Sequence, residues 1–162
     1  MRTSTAPSRP LASSSTPDVW RTIADEAAAE SPVWGGALRA QPEREAIFSR
    51  VAPDRFALGL ESIYEGYLLH YGRPRLFAPE DDDTALLLGD YLYAHGLVRV
   101  AALGEIDAVA ALAELISTCA HLRGEGEDGD GEAWIGIARR LGGEPAPEAV
   151  ELALAAHAAR MG

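Results

Sequence analysis

The chain contains no lysine. That excludes a lysine nucleophile, a lysine general base and a lysine phosphate clamp, and leaves arginine as the only permanent cation. Cys119 is the only cysteine. An internal disulfide and a cysteine-based zinc site are therefore excluded, and a reducing cytoplasm is the simplest setting. Cys119 lies in an apolar run and reads as a small core residue. No apolar run approaches the ~18 residues of a membrane span. Aromatics make up only 7% of the chain, and β-branched residues are sparse. Alanine and leucine must do most of the packing, which favours helix over strand. There is no Gly-x-Ser-x-Gly elbow, P-loop or dinucleotide fingerprint.

Hydrophobic residues make up 48% of the 162 present, enough for one domain with a real core. The formal net charge is -11, from 25 acidic residues against 14 arginines. Such a surface repels phosphate backbones and anionic lipid headgroups, so nucleic acid is not expected as a partner. Residues 1–15 are rich in Ser, Thr, Pro and Ala, with Arg2, Arg9 and no acid. They read as a disordered tail, because they cannot bury enough apolar surface to offset chain ordering. Docking onto a partner or an organellar targeting role is the functional alternative for this stretch. Residues 16–162 read as a single helical domain.

Thr16 can cap a first helix, with Pro17 at its first position and Asp18 behind it. Val19, Trp20, Ile23 and Ala27 share one face, and Ser31-Pro32 ends the helix before a Gly35-Gly36 loop. A short helix is expected from Pro42 to about Val51. Pro53 opens the next, where Phe56, Leu60, Ile63, Tyr67 and His70 recur at helical steps. Gly72-Arg73-Pro74 stops it. A long helix from about Asp82 to Leu103 is apolar all round and is expected to be buried on most sides. Others are expected from Ile106 to Leu122, around Trp134 and Ile137, and from Pro147 onward with Val150, Leu152 and Leu154. The expectation is an all-α compact bundle of about six helices joined by short loops.

Several acidic groups invite a metal reading. Glu61 and Glu65 lie four apart on one helix face, where they could bind a metal or pair with Arg55, Arg73 or Arg75. Asp81, Asp82 and Asp83 are explained by the helix dipole. Glu127, Asp128, Asp130 and Glu132 read as a flexible acidic loop without the offsets of a calcium-binding loop. Asp90 sits in an apolar helix, where a buried charge needs a partner such as His95, Arg99 or an arginine from another helix. His70, His95, His121 and His157 show no metal-binding spacing.

The stretch from Gly72 to Leu92 resembles the polyprenyl synthetase (trans-isoprenyl diphosphate synthase) family. Gly72-Arg73-Pro74 is followed seventeen residues later by Gly89-Asp90-Tyr91-Leu92, a spacing that fits that family. The resemblance spans roughly residues 58–125 and implies part of an isoprenoid synthase fold. In active members a DDxxD motif binds magnesium ions that clamp an allylic diphosphate. The matching positions here read Glu61, Ser62, Ile63, Tyr64 and Glu65. The family's paired arginines are replaced by His70 and Tyr71. No second aspartate-rich motif occurs in the 72 residues after Asp90. Without facing carboxylate clusters, ionisation of the diphosphate loses its electrostatic support. The resemblance therefore implies a pseudoenzyme with no catalytic residues. No cofactor is expected, except Mg2+ if Glu61 and Glu65 keep a vestigial site.

A partial bundle leaves apolar faces that need covering. The leading expectation is a non-catalytic accessory or oligomerising subunit, partnered by a second copy or a helical hetero-subunit. Some members of the family act as small subunits, although their Cys-x-x-x-Cys motifs are absent here. A second expectation is a module for a prenyl chain or other apolar ligand, in a space left by Gly59, Gly66, Gly89, Ala94 and Gly96. A third is a weak prenyltransferase completed by a partner's carboxylates.

Overall fold

The computed structural model describes residues 17–162. The expected tail and the Thr16 cap lie outside the described residues. Among the described residues seven α-helices follow one another: α1 Val19–Glu30, α2 Pro32–Gly36, α3 Ala57–Tyr71, α4 Asp82–Ala101, α5 Ile106–Glu125, α6 Asp130–Arg140 and α7 Pro147–Met161. Two single-turn 3-10 helices, Ser49–Val51 and Asp54–Phe56, lead into α3. The fold is all-α, and no helix among the described residues is long and apolar enough to cross a membrane.

Local chemistry sets the helix ends. Asp18 caps α1 by accepting the backbone N–H of Trp20 at 3.0 Å. Ser31 closes α1 and caps α2, which replaces the expected Gly35-Gly36 loop. Asp81 caps α4 by accepting the Thr84 N–H at 2.7 Å, so the acidic run there acts on the helix itself. Gly126, with φ of +69°, ends α5 in the left-handed region that a glycine adopts without strain.

The expected helix from Pro42 to Val51 does not form. The chain there is mostly irregular and becomes helical only at Ser49–Val51. Its backbone is used across the molecule instead. Arg39 N–H donates to the Leu76 carbonyl at 2.8 Å, and Glu43 N–H donates to the Arg75 carbonyl at 3.0 Å. Tertiary hydrogen bonds replace the helical ones, while Ile47 and Phe48 still reach the core.

The central helix is α3. Every residue from Gly59 to Leu69 is buried. It packs most extensively on α4, and glycines make that possible. A Cβ on Gly66 would sit 2.8 Å from the Gly89 carbonyl oxygen, and one on Gly96 would sit 2.9 Å from the Gly59 carbonyl oxygen. These glycines therefore bring two backbones together rather than leaving a space between them.

The expectation that α4 is buried on most sides is corrected. Leu88, Gly89, Leu92, Gly96 and Val100 face inward, but Leu86, Leu87 and Val98 are exposed. The reason is position, since α4 lies against α3 and α5 and meets α1 and α2 through Arg99 and Tyr91, while Leu86, Leu87 and Val98 point away from all four. On α7, Ala153, His157 and Arg160 are buried, Val150 and Leu154 pack against the core, and Leu152 is exposed.

Candidate functional site

The two glutamates of α3 meet an arginine. Glu61 and Glu65 project from successive turns, and Arg75 arrives from the loop after the Gly72-Arg73-Pro74 turn. All three side chains are essentially without solvent exposure. Arg75 Nη1 donates to Glu61 Oε2 at 2.5 Å, and its Nε donates to Glu65 Oε2 at 3.0 Å. Glu65 Oε1 also accepts the backbone N–H groups of Arg75 at 2.8 Å and Leu76 at 2.7 Å. The Ser49 hydroxyl donates to Glu61 Oε1. The guanidinium lies between the rings of Trp20 at 4.7 Å and Tyr64 at 4.9 Å. Burial works against its charge, but Glu61 and Glu65 outweigh burial and hold its pKa above the ordinary value.

This arrangement does not fit a magnesium ion. All four carboxylate oxygens already accept hydrogen bonds, and the cation between them is Arg75. Among the described residues no three His, Cys, Asp or Glu side chains converge on a metal-sized site. Of the pairings open to Glu61 and Glu65, the structure selects Arg75.

Sequence reading missed a second buried network. Asp130, expected in a flexible loop, is the first residue of α6 and is buried. Its Oδ2 accepts from the Tyr67 hydroxyl, from Arg123 Nη2 at 2.5 Å and from His157 Nε2 at 3.0 Å. The other ring nitrogen, His157 Nδ1, lies 2.8 Å from the Tyr64 hydroxyl. An ionised carboxylate only accepts, so His157 carries its proton on Nε2 and Tyr64 donates to Nδ1. Burial favours neutral Asp130, but the bonds from Tyr67, Arg123 and His157 prevail and hold its pKa at about 2. Burial lowers the His157 pKa against the pull of Asp130. The network ties α5, α6 and α7 to α3. It has the Asp-His pairing of a catalytic base, and Asp130, His157 and Tyr64 are all buried.

The motif residues are dispersed. Gly72 stops α3, and Arg73 N–H donates to the Arg160 carbonyl at 3.0 Å. Gly89 is buried where α4 crosses α3, and a Cβ there would lie 2.7 Å from His70 Nε2. Asp90 is not a buried charge, for its side chain is 64% exposed. Its Oδ1 lies 3.1 Å from His70 Nε2, without the alignment of a hydrogen bond. Tyr91 is half-buried and stacks on His95 at 5.2 Å between ring centroids. Asp82, Asp83, Glu127, Asp128 and Glu132 are exposed, as is His121. Cys119 is buried, and burial pushes its thiol up to about 12, which makes it unreactive.

Two surface features complete the inventory. One is the outer face of α4, with Leu87 59% and Val98 62% exposed. It continues past α4 to Ile106, which is 80% exposed. The other is a cleft of about 420 Å³ between residues 45–51 and α7, walled by Ile47, Val51, Leu152 and alanines of α7, with Glu45 and Arg50 also lining it.

Comparison with family models, curated proteins and solved structures yields no match to this chain.

Proposed function

We propose that the chain is a non-catalytic helical protein, similar to part of an isoprenyl diphosphate synthase, that acts as an accessory or oligomerising subunit. The observation that carries this reading is the bare outer face of α4. A helix that is apolar on every side is ordinarily buried on every side. Here the side opposite α3 keeps Leu86, Leu87 and Val98 in solvent. Exposed apolar area in a continuous patch marks an interaction site. The non-catalytic half of the proposal is supported by Arg75, which occupies both carboxylates at the positions matching the family's metal-binding motif.

Size-exclusion chromatography with light scattering, together with mass spectrometry of proteins co-purified at native abundance, tests the subunit role. The expected result is a stable assembly that is lost in the Leu87→Asp, Val98→Asp double variant while its helical circular dichroism persists. A chain that is monomeric and recovers no stoichiometric partner overturns the subunit role. Labelled allylic diphosphate and Mg2+ test the other half. The expected result is no prenyl transfer by this chain alone, and turnover by the unaided chain overturns it.

A second reading, an apolar-ligand module, is favoured by the cleft beside α7. Its volume of about 420 Å³ and its aliphatic wall suit a short apolar ligand. Binding of a short prenyl alcohol that is abolished by Ala153→Trp would support it.

A further inference from the structure

The outer face of α4 is apolar along its length, and the charges within it are of one sign. Leu86, Leu87, Ala94, Val98 and Ala101 are all exposed, at positions that form one stripe on a helix. Asp83 and Asp90 lie within that stripe, both exposed, seven residues and so roughly 10 Å apart. Of the bases near its edges, His70 is turned inward and only 10% exposed, 3.1 Å from an Asp90 that stays 64% exposed, and the arginines are committed elsewhere. Arg99 is only 12% exposed and is paired with Glu26, and Arg55 is paired with Glu105 at 2.7 Å. Beyond α4 the apolar surface runs on to Leu103 and Ile106, flanked by Glu105 and Asp107.

We infer that α4 docks an amphipathic helix of another protein whose apolar stripe carries basic residues two turns apart, facing Asp83 and Asp90. The inference rests on the accessory-subunit reading and names its partner's chemistry. Leu87, Ala94 and Val98 supply the apolar seam. The two aspartates supply register and selectivity, because an apolar partner would desolvate Asp83 with no counter-charge and Asp90 with only the inward-turned His70 beside it. A second copy of this chain fits the face poorly. A two-fold interface presents the same patch from both sides, so each face brings two aspartates and no exposed base to meet them, between molecules that each carry a net charge of -11. An anionic bilayer surface is disfavoured for the same reason.

The test uses the full chain and two synthetic helical peptides of about 20 residues, the length of α4. Both peptides carry the same Leu/Ala stripe. One bears Arg at positions two turns apart, and the other bears Glu there. Binding is read by fluorescence anisotropy at low and high salt. The Arg peptide is expected to bind at least about tenfold tighter than the Glu peptide, with the preference shrinking at high salt. Val98→Asp should weaken the Arg peptide about tenfold or more. Asp83→Asn with Asp90→Asn should erase the preference between the peptides while retaining the apolar binding. Ala158→Asp, on the exposed side of α7 and outside the cleft, should change nothing, and circular dichroism confirms that each variant is folded. Equal binding of the two peptides, or an Ala158→Asp effect as large as that of Val98→Asp, overturns the inference. So does an unchanged preference in the asparagine variant. If neither peptide binds but light scattering finds a self-assembly that Val98→Asp dissolves, the inference falls while the subunit reading stands. If neither peptide binds and no assembly exists, both fall.

Discussion

At the residue scale the decisive group is Arg75. A guanidinium is stable in a core only when its donors and its charge are both met, and here two carboxylates and two aromatic faces meet them. Removing one partner of such a set strands the others. Arg75→Met is expected to destabilise the fold by about 3–5 kcal/mol, since it leaves Glu61 and Glu65 buried without a cation. Arg75→Lys should recover only part of that, because an ammonium cannot reach both carboxylates in a planar fork or stack between Trp20 and Tyr64. Urea unfolding of the two variants measures both effects.

His157 carries the pH dependence. Its folded pKa lies below the ordinary value of 6.5, so the unfolded chain takes up a proton that the folded chain resists. Stability is therefore intact above about pH 6.5 and falls as the pH drops below it. Asp130 acts in a lower window. Its folded pKa of about 2 lies beneath its ordinary 3.8, so its contribution is lost as the pH falls from about 4 toward 2. His157→Gln should flatten the stability profile between pH 7 and 5, as followed by denaturant midpoints, and leave the more acidic loss in place.

At the element scale the α3–α4 pair is held by absent side chains. Gly66→Ala places a methyl group 2.8 Å from the Gly89 carbonyl oxygen, and backbone cannot move aside cheaply. The expected cost is about 1–3 kcal/mol. Gly136, in α6, has open space where its Cβ would be and no unusual φ. Gly136→Ala is expected to stabilise by about 0.5–1 kcal/mol, because alanine restrains the unfolded chain at no steric cost. Thermal melts of the two variants should move in opposite directions. The same pair explains the mistaken view of α4. Composition reports how apolar a helix is, whereas the number of neighbours decides how much of it is covered, and α3 rather than α4 occupies the centre.

At the scale of the whole molecule, the two polar networks join segments far apart in sequence. Arg75 links α3 to the stretch from Glu45 to Ser49, and Asp130 links α6 to α3, α5 and α7. A molecule tied in this way is expected to open as one unit. Cys119, on the buried face of α5, offers a probe. Its labelling by a thiol reagent in native buffer should be governed by global unfolding, and the opening free energy from labelling should match that from urea. Labelling much faster than this would show that α5 opens on its own.

Helix content, most helix ends and the buried state of Cys119 were legible in the chain itself. They follow from local causes: alanine and leucine propensity, the acids that open α4, Pro147 at the start of α7, and glycine and proline as stops. The close approach of Gly66 to Gly89, the choice of Arg75 over Arg55 or Arg73, and the Asp130–His157 contact were decided only by tertiary structure. Each depends on which distant segments meet, and sequence spacing carries no record of that. The bare face of α4 belongs to the same class, since a leucine becomes a docking residue or a core residue according to what the fold sets beside it.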